Sequence, residues 1–304
     1  MSHHKRNIGI LLILLVIMTL AVRYFFQRME EERRFAQVNP YSLILPSPEA
    51  VLSINSPLVF GKMILPMSAI GNTFKELIPK ALLPYLQEKS SYTSLIIAAY
   101  TKSDILYISM DKDEANQLFK HLEKTFSYAP VEREDASITA YYYPEADNRF
   151  LGCYYHNGLF VASYSHKLLA EAAARQQSPT PSIIPELKDL LNKAKGNTIH
   201  LFLPSKKLDI HIPMNDTTTW SIKEPWLSVE LFVSEGNLYA HNEQTYEASI
   251  DSLYPIIRDS IHSRLSQLLP DIQLTSQVSH DENQVYYTIC GQGEDTIKNN
   301  QAYE

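Results

Sequence analysis

The sequence predicts an α+β fold, an antiparallel sheet of repeated hairpin–helix units with helices packed on one face, behind one N-terminal transmembrane helix. Three observations predict it. A pair of apolar stretches split by a turn signal, followed by an amphipathic helix, occurs three times along the chain. Tyrosine is abundant at 19 residues and glycine scarce at 9, a balance that favours strands over glycine-rich phosphate loops. Ile8 to Val22 is an unbroken run without charge.

The repeats justify the sheet. Ala50–Ile54 reads as a strand reached through Pro46 and Pro48. Met63 to Leu86 is helical in pattern but cut by Pro66, Pro79 and Pro84, which predicts two short helices. Ser94–Tyr100 and Ile105–Met110 flank Lys102-Ser103-Asp104, and a helix follows with Asp111 as N-cap and Glu114 at capping-box spacing. Arg149–His156 and Leu159–Ser165 flank Asn157-Gly158, the strongest short hairpin signal, ahead of a helix over His166–Gln177. Leu227–Ser234 and Asn237–Gln244 flank Glu235-Gly236, ahead of a helix with Leu253, Ile256, Ile257, Ile261, Leu265 and Leu268 in register. Ile138–Tyr143 and Thr198–Leu203 are single strands, Pro185–Ala194 a short helix, and Ile272–His280 with Gln284–Ile289 a last hairpin. QQSPTPS at Gln176–Ser182 is the best boundary. The chain thus divides into a tail and anchor (1–28), a charged spacer (29–40), a first α+β half (41–178), a second, related half (182–290) and a disordered polar tail (291–304).

The anchor counts through Arg23, which can snorkel, and Tyr24, Phe25 and Phe26, which suit the interface, so residues 8–26 give a span. The competing interpretation is a cleaved signal peptide, with Lys5 and Arg6 as its basic start and Thr19-Leu20-Ala21 a weak cleavage site. No cysteine follows in a lipoprotein pattern. Arg23, Arg28, Arg33 and Arg34 after the run argue for a cytoplasmic domain, whereas large domains cross largely regardless of charge. The expectation is a bacterial inner-membrane, single-pass protein with its N-terminus cytoplasmic and its domain periplasmic.

The net charge of -7 and pI near 5.8 leave no basic face for nucleic acid. Cys153 and Cys290 form no disulfide framework; each reads as a small apolar strand residue, and a bridge between them stays open. The ten histidines show no metal-ligand spacing beyond the adjacent His3 and His4. Asp209 and His211 share one side of a strand and are the only acid–base pair worth naming, with a solvated pair the commoner meaning. Glu132, Glu134 and Asp135 read as a solvated loop. No G-x-S-x-G elbow is present, and Gly291-Gln292-Gly293 precedes no helix. The sequence therefore nominates no catalytic residue, no cofactor and no metal. Its candidate binding surface is aromatic. Tyr142 and Tyr154 belong to the tyrosine-rich strands, which suit a glycan or protein face. Trp220 and Trp226 lie in or beside the irregular stretch Lys206–Pro225, a candidate binding loop. For each, core packing is the plainer alternative.

The segments LPSPEAVLSIN, MDKDEANQLFKHLEKTF and FLGCYYHNGLFVASYSHKLLAEAAAR follow one another in order. In this the chain resembles a bacterial, Bacteroides-type, membrane-anchored envelope domain family of unknown function with repeated hairpin–helix units. The resemblance covers roughly residues 41–177. It implies a fold and an envelope location, and no site. The functional expectation is a non-catalytic envelope protein that binds a protein partner or scaffolds a complex. The alternative is a protein that binds or hydrolyses an envelope glycan.

Overall fold

The structure is a computed structural model. It describes residues 39–88, 92–145, 148–178 and 199–204; the strand segments 211–213, 219–221, 226–234, 237–245, 273–281 and 284–292; and positions 18, 22–24, 183–185, 187–188, 191, 259 and 263.

The strands are β1 (Ala50–Ile54), β2 (Ser94–Tyr100), β3 (Ser103–Ser109), β4 (Val131–Asp135), β5 (Ile138–Pro144), β6 (Phe150–His156) and β7 (Leu159–Ser163). They continue as β8 (Ile199–Pro204), β9 (His211–Pro213), β10 (Thr219–Ser221), β11 (Trp226–Ser234), β12 (Asn237–Thr245), β13 (Gln273–Asp281) and β14 (Gln284–Gln292). The helices are α1 (Ser68–Glu76), α2 (Leu83–Glu88), α3 (Lys112–Thr125) and α4 (His166–Gln177), with a π turn at Phe60–Ile64. Twelve strands form one sheet in the order β13-β14-β12-β11-β8-β1-β2-β3-β7-β6-β5-β4, and β9 and β10 form a separate pair. The chain is therefore a mixed helix and antiparallel-sheet protein.

Local chemistry explains the elements. Asn157 and Gly158 have φ of 47° and 82°, the left-handed pair a tight hairpin needs. The Asp111 carboxylate accepts from the Glu114 N–H at 2.8 Å and opens α3, as its spacing predicts. The β4–β5 hairpin escapes sequence reading because Ala136 (φ 49°) and Ser137 (φ 63°) make the same turn without glycine. Glu132 to Asp135 are thus an edge strand and not a loop.

One expectation is corrected: helices cover both faces. Leu95, Ile97, Leu106, Ile108, Phe160 and Ala162 point to a core closed by α2 and α3. Ile96, Ala98, Ile105, Tyr107, Leu159 and Val161 point the other way, to a core closed by α4 and the opening segment around Leu43 and Ile44. Strands such as SLIIAAY are apolar at consecutive positions because they are buried on both sides. A one-faced sheet would have alternated.

The opening segment is fastened at three successive carbonyls. Tyr107 Oη donates to Leu43 O at 2.9 Å and Tyr100 Oη to Leu45 O at 3.0 Å, while the Arg175 guanidinium donates to Ile44 O between them. Leu43 and Ile44 are fully buried, so these bonds satisfy carbonyls that water cannot reach.

Strands β1, β2, β3, β6 and β7 thread the sheet in the same order as β8, β11, β12, β13 and β14, and the two sets join where β1 pairs with β8. Asp259 and Ser263, between β12 and β13, are helical, and the rest of that expected helix lies outside the described residues. Of the expected disordered tail 291–304, Gly291 and Gln292 instead end β14, paired with Leu274 and Gln273 of β13, and the rest lies outside the described residues. Met18 and Val22–Tyr24 are helical, but most of the expected anchor over 8–26 falls outside the described residues, among which no helix is long and apolar enough to cross a membrane. Cys153 is a buried free thiol on β6, tenth in the sheet order, whereas Cys290 lies on β14, second in that order. Eight strand spacings amount to about 38 Å, far beyond the ~7 Å a disulfide tolerates between Cα atoms, so no intrachain bridge joins them.

Candidate functional site

The side chains carrying the most chemistry form a row across the second half of the sheet. Ser53, His200, Glu230, His241 and Thr288 occupy directly opposed positions on β1, β8, β11, β12 and β14. Opposed side chains on antiparallel strands stand about 5 Å apart at Cβ. Ser53 and His200 are buried, and Glu230 and His241 half-buried, so the row runs from the core toward solvent. The His200 ring lies parallel to Phe202 at 5.8 Å. Burial holds the His200 imidazole below its ordinary range, with the Glu230 carboxylate opposing that shift. The same face carries the buried Trp226 and a stack of the exposed Phe232 on the half-buried Tyr239 at 5.2 Å.

This row contains serine, histidine and acid in the order of a nucleophilic triad, but the geometry opposes that chemistry. Ser53 has no exposed surface and its hydroxyl bonds the phenol of Tyr41. A nucleophile must reach substrate. The row is therefore a polar seam in an apolar sheet. Among the described residues, no group of three or more His, Cys, Asp or Glu is placed to hold a metal ion. His211 lies on β9 in the separate strand pair, and Asp209 is outside the described residues.

The aromatic candidates go elsewhere. Tyr154 is wholly buried, Tyr142 is 6% exposed and Trp226 8%, so none presents a ring to solvent. Trp220 sits on β10 opposite Ile212 of β9. Tyr142 lies opposite Gly152, and a Cβ there would come within 2.7 Å of the Tyr142 ring, so the glycine makes room for it. Its hydroxyl donates to Asp135 Oδ2 at 2.7 Å, His166 Nε2 lies 3.5 Å from Asp135 Oδ1, and Arg133 covers the ring at 5.4 Å. Burial, then the Asp135 carboxylate, push the Tyr142 phenol well up. The cluster braces the β4–β5 edge against the start of α4.

Tyr154 is different: its buried hydroxyl has no hydrogen-bond partner. Removing an unsatisfied buried hydroxyl relieves its desolvation cost. Tyr154→Phe is expected to stabilise the fold by about 1 kcal/mol in urea unfolding. A loss of similar size would mean that the hydroxyl has a partner.

The sheet's two edges form the second candidate feature. At one end β4 reads Val-Glu-Arg-Glu-Asp, with four charges in five exposed or half-buried residues. Charges on an edge discourage pairing with other chains. At the other end β13 is nine residues long, with no Lys, Arg, Asp, Glu or Pro from Gln273 to Ser279. Among the described strands its only neighbour is β14. Neither the row nor the open edge was visible in the sequence. Glu230 and His241 face each other within the β11–β12 hairpin, but their alignment with His200 and Ser53 follows from pairing β11 with β8 and β8 with β1, and an edge exists only once strand order is known.

No protein-family profile matches the chain, and no curated protein does. The solved structure of TP0453, crystal form I, is similar, with a TM-score of 0.50 and 11% identity over 86% of this chain and 96% of that one. At that identity the likeness concerns the fold alone.

Proposed function

We propose that this chain is a non-catalytic protein of the bacterial envelope, anchored in the inner membrane by residues 8–26 with its domain in the periplasm, that binds a protein partner. The observation that carries the partner-binding role is the contrast between the two sheet edges: one guarded by four charges, the other a nine-residue strand with no second neighbour among the described strands. Such an edge offers a row of backbone donors and acceptors to an added strand, the commonest way a sheet takes up an extended segment. The uncharged run Ile8 to Val22 supports the anchor. The glycan-surface alternative loses support from the burial of Tyr142, Tyr154 and Trp226.

The test is cross-linking of the tagged full chain in intact cells, followed by mild solubilisation and mass spectrometry, with Gln277→Lys beside the wild type. The expected result is a stoichiometric cross-linked chain in the wild type, reduced at least about tenfold by a lysine in mid-edge. Equal capture by both, or recovery of the protein alone, would remove the edge as the binding surface.

A further inference from the structure

We infer that the strand received by β13 is β13 of a second copy of this chain, making a two-fold dimer with one continuous sheet. The inference rests on the edge being the binding surface and goes on to name its occupant. An antiparallel strand can always pair with itself about a two-fold axis, and most soluble homo-oligomers use such a self-complementary contact. What differs between edges is what the pairing brings together.

For β13 the full-length register centres on Gln277. It places Gln277 opposite Gln277, Thr275 opposite Ser279, Ser276 opposite Val278, Leu274 opposite His280, and Gln273 opposite Asp281. All nine residues are used, and centring on a residue keeps each face of the sheet continuous across the axis, because opposed residues of an antiparallel pair share a face. No like charges meet. Thr–Ser and Gln–Gln oppositions add side-chain hydrogen bonding across the ladder. The same operation on β4 centres on Arg133, setting Arg133 opposite Arg133 and Glu132 opposite Glu134. Directly opposed like charges are destabilising. The two ends of the sheet thus have opposite self-pairing chemistry: the guarded end repels its own copy and the open end accepts it.

The experiment introduces Gln277→Cys into the full chain in a Cys290→Ser background, in native membranes, with mild oxidation. Cys153 is buried and does not compete. Opposed Cα atoms in the ladder stand about 4.5–5.5 Å apart, within disulfide range. A covalent homodimer is expected, at least tenfold more abundant than from Arg133→Cys at the guarded edge. Co-expressed Thr275→Cys and Ser279→Cys chains are expected to link to each other more than either links to itself, a register-specific readout that chance collision would not give. Equal yields from Gln277→Cys and Arg133→Cys would overturn the dimer. Linkage of Gln277→Cys to a different protein would also overturn it while leaving the edge as a binding surface. A monomer throughout, with capture unchanged by Gln277→Lys, would remove both.

Discussion

Phe160→Ala is expected to lower the unfolding free energy by about 3–5 kcal/mol, the range for a fully buried aromatic cut to a methyl. Phe160 lies on β7, between β3 and β6 in the sheet, and has no exposed surface. Its ring meets Phe119 of α3 edge-to-face at 5.3 Å, and Phe119 meets Tyr141 of β5 in the same way at 5.3 Å. Phe160 is thus the inner member of an aromatic chain that fixes α3 on the sheet, and such pairs add about 0.5–1.5 kcal/mol beyond their buried area. Sheet backbone on one side and a helix on the other leave little freedom to collapse into the cavity. Domains are stable by only about 5–15 kcal/mol, so the variant loses a large share of its margin. Urea unfolding measures it. A loss below about 1 kcal/mol would mean that α3 repacks freely over β7.

Gly71→Ala is expected to destabilise by about 3 kcal/mol, at or above the usual overpacking range, although helix propensity alone predicts the opposite sign. Gly71 lies inside α1, where alanine is ordinarily better by about 1 kcal/mol. Here α1 doubles back onto the π turn, and a Cβ would stand 2.3 Å from Leu65 O and 2.8 Å from Ile64 O. Both are backbone atoms of a buried turn, so relief requires moving the helix. Gly71 has no positive φ; the need is for space. Thermal unfolding distinguishes the two effects by sign, and a raised midpoint would mean that the close approach relaxes at no cost.

Legibility followed the range of the interactions. Asn157-Gly158, the Asp111 cap and the start of α4 at His166 are local, and each appears where its signal stands. The β4–β5 hairpin was missed because Ala136 and Ser137 adopt left-handed backbone that their side chains do not advertise. The one-faced packing was misjudged because a hairpin–helix signal is the same whichever face the helix crosses. The consecutive apolar residues of β2, β3 and β7 hold the information, since a strand buried on both sides cannot alternate. Tyrosines that read as an interaction surface became core for the same reason: α4 covers Tyr142 and Tyr154.

By itself, then, the sequence determined the hairpins, the caps and the mixed helix–strand class, because these depend on residues a few positions apart. Only the tertiary structure decided which hairpins and single strands lie side by side. It placed β1 beside β8, aligned Ser53, His200, Glu230 and His241 into one row, and left β13, uncharged from Gln273 to Ser279, at one end of the sheet with the charged β4 at the other. The β1–β8 junction pairs strands more than a hundred residues apart and β8–β11 pairs strands about thirty apart, where the choice is made by the burial of whole faces and not by any local preference.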